Sequence, residues 1–204
     1  MDDLHKALGD IESIRRQMSQ TIEFRGYGPA TLAGTAGIAL LAAAAQARLV
    51  QDPSHQFSRY LMVWITAALL SAGLTGVQMY TRSRRIHSGL SQEMIAMAVE
   101  QFLPSAGAGL LLTMVLCLYV QEVVWILPGL WQIVFGLGVF SSCRFLPRPM
   151  LAAGAWYLLT GLACIAFGDS RALSPWAMGV PFVIGQFLVA AILYFTAREA
   201  SNGL

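Results

Sequence analysis

The sequence predicts an all-α fold: a polytopic membrane bundle of six transmembrane helices arranged as three hairpins, preceded by a cytoplasmic amphipathic helix. Three observations predict it. Between Tyr27 and Ala197 lie six apolar stretches, each near the roughly 20 residues a helix needs to cross a bilayer. Of the 204 residues 56% are hydrophobic and only 12% charged, with a mean hydropathy of +0.61; a soluble domain carries about 25% charged residues. The charges that are present fall almost entirely between the apolar stretches.

Residues 1–26 read as the amphipathic helix. Leu4, Leu8, Ile11, Met18 and Ile22 recur at helical spacing, with Ala7 and Ile14 flanking the stripe. Two readings stand: the stripe lies in lipid headgroups, or it packs on another helix, including one from a second subunit. Mixed acidic and basic residues on the polar side (Asp10, Glu12, Arg15, Arg16) favour packing.

Gly26, Gly28 and Pro29 end that pattern and open the membrane domain, 27–197. Its spans are predicted at 29–50, 58–80, 103–121, 123–142, 150–168 and 175–197. The first span follows a polar stretch and is too long for a cleaved signal segment, so it is expected to direct its own insertion. Arg82, Arg84, Arg85 and His87 begin a basic, interfacial segment, 81–102, whose 91–102 stretch either lies in the interface or extends span three on the cytoplasmic side. A short turn at Gln121 and Glu122 makes spans three and four a hairpin. Residues 198–204 form a tail.

Placing the N-terminus inside puts Lys6, Arg15, Arg16, Arg25, Arg82, Arg84, Arg85, Arg144, Arg148 and Arg198 in the cytoplasm. It leaves only Arg48, Arg59 and Arg171 on the opposite side, which accounts for all 13 basic residues. That asymmetry predicts cytoplasmic termini. A net charge of +2 with no basic face excludes nucleic acid as a partner.

The search for chemistry is nearly empty. No charged residue lies at the centre of a span, where ion pathways and proton relays would need one. Glu100 comes closest, one turn before Pro104, and reads as an interfacial carboxylate or as a gate beside a broken helix. The three histidines, His5, His55 and His87, lie outside the spans, so no axial pair for a haem is in place. Neither HExxH nor GxSxG occurs. No catalytic residue, metal site or cofactor is therefore expected. The three cysteines form no CxxC and read as buried free thiols.

Uncharged polar residues in the spans carry the remaining signal. Gln132 follows Trp131 and lies one turn past Pro128; Gln186 lies just over one turn past Pro181. An amide in hydrocarbon needs a hydrogen-bond partner. Either each amide makes an interhelical bond, or both line one polar pocket or pore with Trp131 as a wall. Pro128–Gln132 and Pro181–Gln186 also hint at an internal repeat. Small residues at Ala30/Gly34, Ala33/Gly37, Ala72/Gly76 and Ser105/Gly109 have the spacing of close helix packing.

The stretches Glu23-Phe24-Arg25-Gly26-Tyr27-Gly28-Pro29, Leu127-Pro128-Gly129-Leu130-Trp131-Gln132 and Cys143-Arg144-Phe145-Leu146-Pro147-Arg148 resemble those of an uncharacterised group of bacterial multi-span membrane proteins. The resemblance covers most of the chain. It implies a bacterial cytoplasmic (inner) membrane and no particular activity.

The leading expectation is a non-enzymatic membrane protein, a homo-oligomer in the lipid bilayer, that binds or passes a small neutral or apolar solute. Its candidate pocket is Gln132, Gln186, Trp131, Glu100, Pro128 and Pro181. The alternative is an accessory or regulatory subunit docking a cytosolic protein partner through the N-terminal helix and the 82–102 segment. A lipid-modifying enzyme ranks third.

Overall fold

The computed structural model describes residues 29–85, 89–143 and 149–202; the predicted N-terminal helix at 1–26 lies outside them. The described chain is all helical. Its elements are α1 (Pro29–Leu49), α2 (Phe57–Arg85), α3 (Gly89–Tyr119), a 3₁₀ segment (Gln121–Ile126), α4 (Leu127–Ser142), α5 (Met150–Ala166), a 3₁₀ turn (Ser170–Leu173) and α6 (Pro175–Asn202). Helices are what a bilayer dictates, because they satisfy every backbone group within one segment.

Among the described residues five stretches are long and apolar enough to cross a membrane: Thr31–Leu49, Phe57–Thr81, Val99–Tyr119, Gln121–Ser142 and Pro175–Thr196. The remaining helix, α5, has 17 residues, the short end of the spanning range of about 17–25. The chain is a multi-pass helical membrane protein.

The predicted boundaries shift where charge, rather than backbone chemistry, had suggested an end. α2 continues through Arg85. α3 runs unbroken from Gly89 through Pro104, so residues 89–102 of the interfacial segment and the third span are one helix. α6 extends to Asn202, into the predicted tail. The opposite holds at Gln121–Ile126, where a 3₁₀ segment precedes α4 and Val123 departs from helical geometry (φ −111°, ψ 16°). Pro128 falls in the first turn of α4, where its fixed φ suits a helix start and its missing N–H removes nothing. It opens α4 and does not break it.

Neighbouring helices follow the order α2, α1, α6, α5, α4, α3. The three predicted hairpins are present, but the tightest packing joins them to one another, α4 on α5 and α1 on α6. α2 and α3 end the row and scarcely touch.

Close approach explains the tightest pair. A Cβ on Gly129 would lie 2.6 Å from the Gly161 carbonyl oxygen, and one on Gly161 would lie 2.6 Å from that of Gly129. Seven residues along, a Cβ on Gly136 would lie 2.9 Å from the Gly154 oxygen. Two heptad-spaced glycines on each helix therefore meet in antiparallel register. In lipid, where tails are as apolar as side chains, such backbone contact is the main source of association. Around it Phe135 packs edge-on against Phe102, Tyr157 and Phe182 at 5.4, 4.7 and 5.5 Å.

A second core gathers where α1 turns into α2. Tyr60, Trp64 and Ala67 line one face of α2 and meet Ala42, Ala43, Val50, Leu173 and Met178. The loop between α1 and α2 is held by Asp52, whose carboxylate accepts from the backbone N–H groups of Ser54 (3.1 Å) and His55 (3.3 Å).

Candidate functional site

Pro181 lies inside α6. It lacks an N–H, so the carbonyl four residues earlier, that of Ala177, loses its helical donor. Gln132 supplies one: its Nε2 donates to the Ala177 oxygen at 2.9 Å and lies 3.7 Å from the Met178 sulfur. A carbonyl only accepts, so the atom facing it is the amide nitrogen. The Gln132 side chain is 0% exposed. Its other atom, Oε1, has no partner among the described residues.

Gln186 belongs to a different set of contacts. Its Oε1 lies 3.1 Å from the Thr35 hydroxyl of α1, and its Nε2 lies 3.5 Å from the Tyr157 hydroxyl of α5. The single Thr35 proton is shared with the Leu32 carbonyl at 3.0 Å. Tyr157 fits there because Gly185 has no side chain to occupy the space of its ring.

The other predicted site residues divide between these neighbourhoods and the surface. Trp131 donates from Nε1 to the Thr113 hydroxyl of α3 at 2.8 Å, and its ring stacks on Tyr60 at 6.4 Å. Pro181 is buried, and its carbonyl accepts from Trp156 Nε1 at 2.9 Å. Pro128 is fully buried at the head of α4. Glu100 is exposed on α3.

The structure thus joins Gln132 of α4 to the Pro181 segment of α6, while Trp131, on the same helix, faces Thr113 and Tyr60. It gives Gln186 to the α1–α5–α6 contacts and leaves Glu100 outside. Both amides make helix-to-helix bonds. A cleft of about 430 Å³ opens beside the α1–α2 loop, lined by Ala47, Val50, Gln51, Pro53, Ser170, Arg171, Ser174 and Pro175, with none of the six predicted residues among them.

Sequence reasoning passed over the most complete polar contact. Gln46, 0% exposed on α1, donates to the Leu173 carbonyl at 2.6 Å and accepts from Trp64 Nε1 at 2.7 Å. One amide thereby fastens α2 and the Ser170–Leu173 turn to α1. The only sign in the sequence was a glutamine in an alanine run.

Below the cleft the donors and acceptors are neutral. At its rim, Arg171 holds Asp169 through Nε at 2.8 and 3.0 Å, and that hydrogen bond lowers the carboxyl below its ordinary range. Among the described residues no three His, Cys, Asp or Glu side chains converge as a metal site. Comparison with protein-family models, curated proteins and solved structures finds no match for the chain.

Proposed function

We propose that the protein is a non-enzymatic accessory subunit of a membrane assembly, acting through contact with other chains. The observation that carries this reading is the engagement of both candidate amides. Gln132 and Gln186, on which a polar solute path would depend, each bond to a neighbouring helix. α2 and α3 meanwhile flank the bundle with broad outward faces that include Leu69, Leu70, Val77, Leu110, Leu111 and Met114. Gly73 and Gly76 on α2 have nothing within 4 Å of the place a methyl group would take, so a side chain there starts into open space outside the subunit. The basic-residue asymmetry supports cytoplasmic termini, and the resemblance of three stretches to bacterial multi-span proteins supports a bacterial inner membrane.

The test is the mass of the protein in lipid nanodiscs and the set of chains that co-purify with it. The reading expects association that weakens in Gly73→Leu or Gly76→Leu, or a defined partner lost on deleting residues 1–22. A single chain at every lipid ratio, with recovery unchanged by any of these variants, overturns it.

Passage of a small neutral solute is the second reading, favoured by the cleft and its polar residues Gln51, Ser170, Arg171 and Ser174. Flux of neutral solutes into proteoliposomes tests it. Flux no faster than in empty vesicles removes it.

A further inference from the structure

Among the described residues three buried side-chain atoms lack partners: Gln56 Oε1 in the α1–α2 loop, and, inside the bundle, the Tyr60 hydroxyl and Gln132 Oε1. The Tyr60 and Gln132 side chains are both 0% exposed. An unpaired buried group of this kind is rare in native structures and points to a water or ligand. Both occupy one neighbourhood. Tyr60 packs in the cluster that contains Met178, and Gln132 Nε2 lies 3.7 Å from the Met178 sulfur. Tyr60 also stacks on Trp131, the residue before Gln132.

The orientation of each group is fixed by its surroundings. The Tyr60 ring is stacked with Phe57 at 5.6 Å and Trp131 at 6.4 Å. The Gln132 amide is anchored by its nitrogen on Ala177, which leaves the oxygen as a pure acceptor. A phenol hydroxyl donates and accepts. The pair therefore matches one neutral molecule that accepts from Tyr60 and donates to Gln132.

We propose that Tyr60 and Gln132 together hold a small neutral donor–acceptor molecule, a single water in the resting protein, in the core between α2, α4 and α6. Such a molecule meets both hydrogen-bonding demands without placing a charge in the membrane interior. The site is independent of the contact role proposed above: a subunit with no transport activity holds the same molecule.

A double-mutant cycle of Tyr60→Phe and Gln132→Met in bicelles, with infrared spectra of the unaltered protein, tests it. The Ala177 bond is lost in both branches that carry Gln132→Met and cancels from the coupling. If the molecule is shared, Tyr60→Phe lowers the folding equilibrium constant several-fold in the parent and little in Gln132→Met. The parent also shows a buried water O–H band that shifts with H₂¹⁸O and disappears in Tyr60→Phe. Tyr60→Phe equal to or more stable than the parent overturns the proposal, as do additive effects. Coupling without the isotope-sensitive band means direct contact between the two side chains, and also overturns it. If either variant fails to fold, the band in the parent decides: present, it supports the site; absent, it refutes it.

Discussion

If Gln132 replaces the donor that Pro181 removes, restoring that donor must make the glutamine dispensable. Pro181→Ala returns an N–H to the position facing the Ala177 carbonyl, and the Gln132 bond at 2.9 Å then duplicates a helical one. In the parent, Gln132→Leu leaves that carbonyl unpaired inside the bundle and also deletes Oε1, which has no partner among the described residues. The cycle isolates the coupling. Side-chain hydrogen bonds between membrane helices average about 0.6 kcal/mol and reach about 1.7 kcal/mol. Gln132→Leu should therefore be less harmful in Pro181→Ala than in the parent by roughly that range, or about 3- to 20-fold in the folding equilibrium. The void left by the proline ring is common to both Pro181→Ala branches and cancels. Reversible unfolding in mixed micelles, followed by tryptophan fluorescence, measures all four proteins. Equal losses in the two backgrounds, or a larger one in Pro181→Ala, would refute the reasoning.

Two further predictions follow from packing and charge. Gly129→Ala and Gly161→Ala each set a methyl 2.6 Å from a carbonyl oxygen and should destabilise by about 1–3 kcal/mol, whereas Gly73→Ala, with open space around it, should not; the same unfolding assay compares them. Asp169 should titrate below its ordinary value of 3.8 because it accepts from Arg171. A depressed carboxyl stabilises the fold above its unfolded value, and the contribution fades as pH falls through the folded one. Carboxyl-labelled NMR of the intact protein reads that midpoint, and Arg171→Gln should move it upward.

Hydropathy located the helices well because burial in lipid depends on the composition of each stretch alone. Helix ends at charged residues were harder to place. Arg82, Arg84 and Arg85 suggested a linker, yet all that a helix needs at its end is water for its charges, and α2 continues through them. Pro104 suggested a break, yet α3 passes through it. The candidate site was half legible. Gln132, Gln186 and Pro181 stand out in the sequence as buried amides and a buried proline. Their partners do not, because the Ala177 carbonyl is a backbone atom and Thr35 lies 151 residues from Gln186. The pairing of Pro128 with Gln132 and of Pro181 with Gln186 looked like a repeat. The two prolines act differently, one starting a helix and the other freeing a carbonyl within one. Gly129, Gly136, Gly154 and Gly161 were likewise visible as residues, but their register depends on which helices are neighbours.

Where α4 meets α5, a methyl on Gly129, Gly136 or Gly161 would meet main chain, whereas one on Gly154 would meet the Phe140 ring. A crowded side chain can swing aside or be trimmed by a second mutation, but a peptide carbonyl has neither escape. At those three positions trimming a neighbouring side chain would not remove the clash; relief would require the two helices to shift against each other. The α4–α5 pair is thus the least adjustable joint of the bundle, with α6, α1 and α2 attached on one side and α3 on the other.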